Sequence, residues 1–184
     1  MLEMDLAELT LRAKNGDTAA AGELYELCHQ DIYWYLFYRV GDPQTAEDLT
    51  AEVFLRMLRG LPNYQPQGKP VEAWLFQIAR NLAIDQYRSD RHDVSIEIEE
   101  NQPVESEEIH KTVEKSLTGE NLRRALDKLS ADQRDVIILR FVLGMPIAEA
   151  ALTINRSQDA VKALQRRGLL ALRDLLATWE VSYA

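Results

Sequence analysis

Arg156, Ser157, Gln158, Lys162, Gln165, Arg166 and Arg167 crowd the chemistry of nucleic-acid recognition into one short segment near the C-terminal end. Guanidinium and ammonium groups neutralise phosphates, while carboxamides and guanidinium forks match donor and acceptor patterns on base edges. The segment continues the run Met145-Pro-Ile-Ala-Glu-Ala-Ala-Leu-Thr-Ile-Asn-Arg-Ser-Gln-Asp-Ala-Val-Lys162, which reads as a short helix, a tight turn and a second helix opening at Ser157. Ala150 and Ala151 are small where two helices must cross closely. Asn155 stands at a turn position that needs positive φ, which asparagine tolerates better than most residues. Ser157 suits the N-cap of the second helix, and Asp159 the positive end of its dipole. Val161 and Leu164 then pin that helix to a core, leaving Gln158, Lys162, Gln165 and Arg166 to face outward as a helix in a major groove would. An ordinary helical hairpin with a solvated basic face satisfies the same pattern, so this segment alone leaves both readings open.

The elements that position such residues are helical throughout. Asp17 caps a helix whose apolar residues Ala21, Leu24, Cys28, Ile32 and Leu36 recur at spacings of three and four. Gly41 suits a left-handed C-terminal cap, and Asp42-Pro43 opens a second helix that runs to about Arg59. Residues 62–70 form a loop by composition. From Val71 to about Arg88 an apolar stripe of Val71, Trp74, Leu75, Ile78, Ala79 and Leu82 lies opposite Gln77, Arg80, Ile84 and Arg88; Trp74 is placed in the core. Helices resume at Leu122, Ser130 to Gln133 form a capping box, and two further helices run from Pro146 to about Thr153 and from Ser157 to about Ala177. The fold class is all-α: Val94, Ile96 and Ile98 alternate weakly, and no strand signal is strong enough to place a sheet. Gly168 inside the last helix costs about 1 kcal/mol relative to alanine, and nothing in the sequence explains it.

Bulk properties set the bounds. A chain of 184 residues accommodates one ordinary domain or two small ones. The net charge of −9 is unevenly distributed. Residues 1–60 hold five basic and eleven acidic groups, and residues 89–120 hold three and ten, whereas residues 156–173 hold five basic groups and one acidic. Local potential decides where a polyanion docks, so the acidic bulk predicts weak nonspecific DNA affinity rather than none. Residues 90–119, rich in Glu, Asp and Ser with Pro103, read as an acidic flexible linker between domains at 1–89 and 120–184. No apolar run reaches the roughly 18 residues of a membrane span. The first residues lack the basic start and apolar core of a signal peptide, and one cysteine, Cys28, permits no internal disulfide. These point to a soluble cytoplasmic protein without membrane insertion. His29, His92 and His110 are scattered, no zinc-ligand or phosphate-loop spacing appears, and Cys28 is assigned to the core. No cofactor, metal or catalytic set is expected.

Ala46-Glu-Asp-Leu-Thr-Ala-Glu-Val-Phe-Leu-Arg56 and Glu72-Ala-Trp-Leu-Phe-Gln-Ile-Ala-Arg-Asn-Leu-Ala-Ile-Asp-Gln-Tyr-Arg88 resemble region 2 of the extracytoplasmic-function sigma factors of the sigma-70 family. Residues 120–176 resemble region 4 of the same family, and both halves stand in family order. The resemblance implies two small helical domains that bind core RNA polymerase at its clamp coiled coil and flap, and also bind promoter DNA. It implies Glu47, Asp48 and Glu52 as acidic contacts to the polymerase. It implies Tyr64, Lys69, Arg80, Asn81 and Arg88 at the −10 element, where a loop from Tyr64 to Lys69 packed over Asn81 captures an extruded base. It implies Arg156, Ser157, Gln158, Lys162, Gln165, Arg166 and Arg167 at the −35 element, and an anti-sigma antagonist as a further partner. After Lys162 the chain reads Ala163-Leu164-Gln165 where the family commonly has serine, arginine and leucine, so individual base contacts do not transfer. A stand-alone helix-turn-helix regulator, or a sigma mimic that binds only an antagonist, remain the alternatives.

Overall fold

The computed structural model describes residues 6–65, 69–90 and 119–182. The chain divides into two compact units, Met1–Asp90 and Arg91–Ala184. Apart from its end residues Asp90 and Gly119, the acidic segment read as a linker lies outside the described residues. Every regular element among the described residues is helical.

The first unit begins with α1 (Leu6–Lys14), a helix the periodicity reading did not place. Leu9, Thr10 and Ala13 form its buried edge. Nine residues are too few for a helix to be stable alone, and α1 persists by packing against α2 and α4. Helix α2 spans Thr18–Val40. The Asp17 carboxylate accepts from the Ala19 and Ala20 amides at 3.0 and 3.1 Å, and the Arg12 guanidinium donates to it at 2.7 and 2.9 Å. These bonds, the Ala20 amide foremost, hold the carboxyl below its ordinary pKa. Gly41 closes α2 at φ 85°. Asp42 then opens α3 (Pro43–Gly60), accepting from the Thr45 amide at 2.7 Å. A 3-10 turn, Leu61–Asn63, leads toward α4 (Val71–Asp90).

Helix α2 packs against α1, α3 and α4, with Leu24, Ile32, Leu36, Val53, Met57 and Leu75 fully buried between them. Cys28 lies in this core, where burial above all, with the Glu72 and Asp31 charges, pushes its thiol pKa up to about 12. Of the stripe expected on α4, Val71, Leu75, Ala79 and Leu82 are buried, and the buried face extends beyond it. Ala73, Phe76 and Ala83 are buried, while Trp74 and Ile78 are only half-buried. Helix α4 contacts α1, α2 and α3 together, so its buried arc is wider than a single stripe allows.

In the second unit α5 (Gly119–Leu126) and α6 (Ala131–Ile137) precede a π turn at Ile138–Val142. The Ser130–Gln133 capping box is formed in both directions. Helix α7 spans Ile147–Ile154, and Asn155 caps it at φ 55° and ψ 50°. Helix α8 spans Gln158–Ser182 and packs on α5, α6 and α7. Gly168 stands where α8 meets α6. A Cβ built there would lie 2.9 Å from Cγ1 of Ile137 and 3.1 Å from its Cδ1. Its glycine lets α8 lie directly on α6.

Candidate nucleic-acid interface

The two helices α7 and α8 form the turn foreseen in the sequence. The left-handed conformation of Asn155 redirects the chain, and the Ser157 hydroxyl accepts from the Ala160 amide at 3.1 Å. Ala150, Ala151 and Val161 are buried at the crossing, and Leu164 is half-buried. Ser157, Gln158, Lys162, Arg166 and Arg167 are exposed together. Two other members of the expected set are otherwise engaged. Arg156 donates to Asp132 of α6 at 2.9 Å, although it stays exposed. Gln165 is half-buried rather than fully outward, and its Oε1 accepts from Nε of Arg140 at 3.2 Å. Lys162 reaches Asp159 one turn back at 3.2 Å. Exposed pairs of this kind are worth little, so a phosphate competes readily for the ammonium.

In the first unit, Gly60, Asn63, Tyr64, Gln65, Lys69, Trp74 and Gln77 line an open cleft of about 480 Å³. Its wall is aromatic: the Tyr64 and Trp74 rings stack with centroids 4.6 Å apart. The Tyr64 hydroxyl donates to the Lys69 carbonyl at 2.9 Å, and Lys14 of α1 donates to the Tyr64 carbonyl at 2.7 Å. Burial raises the Tyr64 phenol pKa, and the charge of Glu72 adds to this. Tyr64 is therefore a fixed wall, 8% exposed. Gly60 is required by the same wall, because a Cβ there would sit 2.9 Å from Cζ2 of Trp74. The middle of the loop expected to pack over Asn81, residues 66–68, lies outside the described residues. Gln77 lines the cleft, whereas Asn81, one turn further along α4, is exposed outside its lining. Arg80 is half-buried and Arg88 exposed on the same helix.

On α3, Glu47 and Asp48 are exposed, with Gln44 donating to Asp48 at 3.3 Å. Glu52 is held by Arg56 at 2.7 Å. Leu55 and Leu58 continue this outer face and are 46% and 50% exposed. Among the described residues no group of three metal-ligating side chains comes together, and no helix is long and apolar enough to cross a membrane.

Family comparison assigns both units. The model described as "Sigma-70 region 2" matches residues 24–92, and "Sigma-70, region 4" matches residues 119–172. The chain is 38% identical over 157 residues to the ECF RNA polymerase sigma factor SigX of Bacillus subtilis, covering 82% of this chain and 80% of that protein. The chain belongs to the extracytoplasmic-function sigma factors of the sigma-70 family. It is also 37% identical over 175 residues to the sigma factor BldN of Streptomyces coelicolor, covering 93% of this chain and 66% of that longer protein. Among solved structures, CnrH in complex with the cytosolic domain of CnrY shares the fold at a TM-score of 0.72 and 24% identity, covering 92% of this chain and 96% of that one. The sigma factor RpoE of Bartonella quintana, solved with the anti-sigma factor NepR, gives a TM-score of 0.64 at 25% identity, covering 85% and 96%.

Three features of this sigma factor lay beyond the sequence reading. Gln77 was placed on the polar face of α4 without a role, and only the cleft distinguishes it from Arg80 or Arg88. Leu55 and Leu58 stand off the buried stripe of α3 (Ala46, Thr50, Val53, Phe54, Met57), which is a signal readable in the sequence that the charge pattern overshadowed. Arg140 gave no signal at all, because both of its partners lie across a turn whose shape the sequence does not announce.

Proposed function

We propose that this sigma factor holds the clamp coiled coil and flap of core RNA polymerase, and reads a promoter at two separate places. Helix α3 offers the polymerase an acidic face, Glu47, Asp48 and Glu52, bordered by exposed Leu55 and Leu58. The cleft on the first unit, with Lys69 in its lining and Arg80, Asn81 and Arg88 further along α4, receives the −10 element: an extruded base enters between the Tyr64–Trp74 wall and the carboxamides of Asn63, Gln65 and Gln77. Helix α8 enters the −35 major groove with Ser157, Gln158, Lys162, Gln165, Arg166 and Arg167, and Arg156 exchanges Asp132 for a phosphate. The supporting observation is that the exposed cationic face of α8 follows a left-handed Asn155 and a Ser157 cap, on a chain whose remainder is acidic. The work is binding and not catalysis, in the cytoplasm where the polymerase resides. Because the Bartonella quintana relative was solved with an anti-sigma factor, an antagonist of that class is proposed as a partner here.

The test is transcription reconstituted from purified chain and cognate core polymerase on promoters selected by sequencing. Promoter-specific initiation is expected; absence of core association ends the proposal, and DNA binding without core association returns the chain to a stand-alone regulator. In the same assay, Asn81→Ala and Gln77→Ala report on the −10 site. Both are expected to slow open-complex formation while core binding is retained, and unchanged melting removes that residue from the site. Lys162→Ala is expected to weaken −35 binding uniformly across sequences and to reduce the salt slope by about one ion. A change in base preference without a change in slope would instead make Lys162 a base contact.

A further inference from the structure

Arg140 lies outside the helix-turn-helix proper, in the π turn that ends α6. In that turn the Leu143 amide donates to the Ile138 carbonyl at 3.0 Å, a reach of five residues. Such turns are rare and concentrate at functional places. Ile138 and Leu139 are fully buried, while Arg140 is half-buried. Its guanidinium is divided between two partners: Nη1 donates to the Met145 carbonyl, just before α7, and Nε donates to Oε1 of Gln165 at 3.2 Å, in the middle of α8. Gln165 is flanked along α8 by exposed Lys162 and Arg166.

A carboxamide has one acceptor and one donor group on the same carbon. With the oxygen turned toward Arg140, the amino group on the other side of the same carbon is what faces away. We propose that Arg140 is a positioning residue that fixes the polarity of Gln165, so that α8 presents a hydrogen-bond donor, and no acceptor, to one base pair of the −35 element. This rests on the reading of α8 as the −35 helix and sharpens it. A glutamine free to turn matches adenine with both of its groups, at N6 and N7. A donor-only glutamine matches acceptors, best the O6 and N7 of guanine, then the O4 of thymine or the lone N7 of adenine, and gains nothing from the exocyclic amine of cytosine or adenine.

The experiment profiles base preference with holoenzyme on a library randomised across the −35 element, with salt titration on the best sequence. Gln165→Ala is expected to flatten preference at one base pair, with about a tenfold loss for the best base there. Arg140→Ala is expected to raise acceptance of adenine at that same base pair severalfold, with the other positions and the salt slope unchanged. Gln165→Glu retains Arg140 as its partner and offers an acceptor outward, so preference at that pair moves toward cytosine or adenine. This variant tests the idea even where Arg140→Ala folds poorly. A merely structural Arg140 would weaken all sequences alike and leave the profile intact, which overturns the inference while the −35 reading stands. A silent Gln165→Ala overturns the inference and removes Gln165 from the −35 contact; loss of all −35 selectivity by the unmodified holoenzyme would be the separate failure of the reading itself.

Discussion

Replacing Glu47 and Asp48 together by lysine is expected to weaken association with core polymerase by about a hundredfold at moderate salt. Both side chains are exposed near the start of α3, and the Gln44 bond to Asp48 is long, at 3.3 Å. Exposed substitutions of this kind shift folding stability by roughly 0.5 kcal/mol or less, so the thermal midpoint should hardly move. Against a basic partner the reversal is different, since like charges brought together cost several kcal/mol and each 1.4 kcal/mol is about tenfold in affinity. The loss should shrink as salt is raised, because the contact is screened over roughly 10 Å at 0.1 M. Leu55→Ala with Leu58→Ala makes the counterpart: a weaker loss with little salt dependence. Titrating labelled core polymerase at two ionic strengths separates the two contributions. Undiminished binding by the lysine variant would assign the polymerase contact to another face. Glu52 is a poorer probe, because its carboxylate already pairs with Arg56.

Gly168→Val is expected to destabilise the C-terminal unit by about 2–3 kcal/mol. Glycine is ordinarily the weaker choice in a helix interior, by about 1 kcal/mol against alanine, so a substitution judged on propensity alone should stabilise. Packing reverses the sign. The added Cβ would meet Ile137 Cγ1 at 2.9 Å and Cδ1 at 3.1 Å, with Gln133 Cβ at 3.7 Å, and Ile137 is buried, at 2% exposed. For a unit of this size the loss corresponds to a midpoint lowered by roughly 10–20 °C. Calorimetry on the full chain should move the transition of one unit and leave the other. Combining Gly168→Val with Ile137→Ala provides the check on mechanism: the pair should be more stable than the sum of the singles by about 0.5–3 kcal/mol. A Gly168→Val chain as stable as the parent would mean that α8 does not rest on α6 at this point.

The elements were legible wherever the deciding bonds are local. Asp17 to Ala20, Asp42 to Thr45, Ser130 with Gln133 and Ser157 to Ala160 each close over three residues, so residue type and spacing suffice to place the helix starts. Gly41 and Asn155 announce the stops because so few residues accept a positive φ. Helix α1 escaped because nothing local sustains nine residues; its stability comes from elements further along the chain. Periodicity places Trp74 in the core, yet the approach of Gly60 from α3 and the stack with Tyr64 turn it into the wall of a cleft.

By itself, then, the order of residues determined the helical class of the described residues, the caps that punctuate them, the helix-turn-helix and the basic cluster upon it, since these depend on neighbours within a turn or two. Tertiary structure alone decided that Gln77 and not Asn81 lines the cleft, why a glycine stands at 168, and that Arg140 grips Gln165 across 25 residues. The physical reason is distance along the chain: a contact between residues far apart in sequence is set by how whole helices pack, and that packing is a property of all their side chains at once.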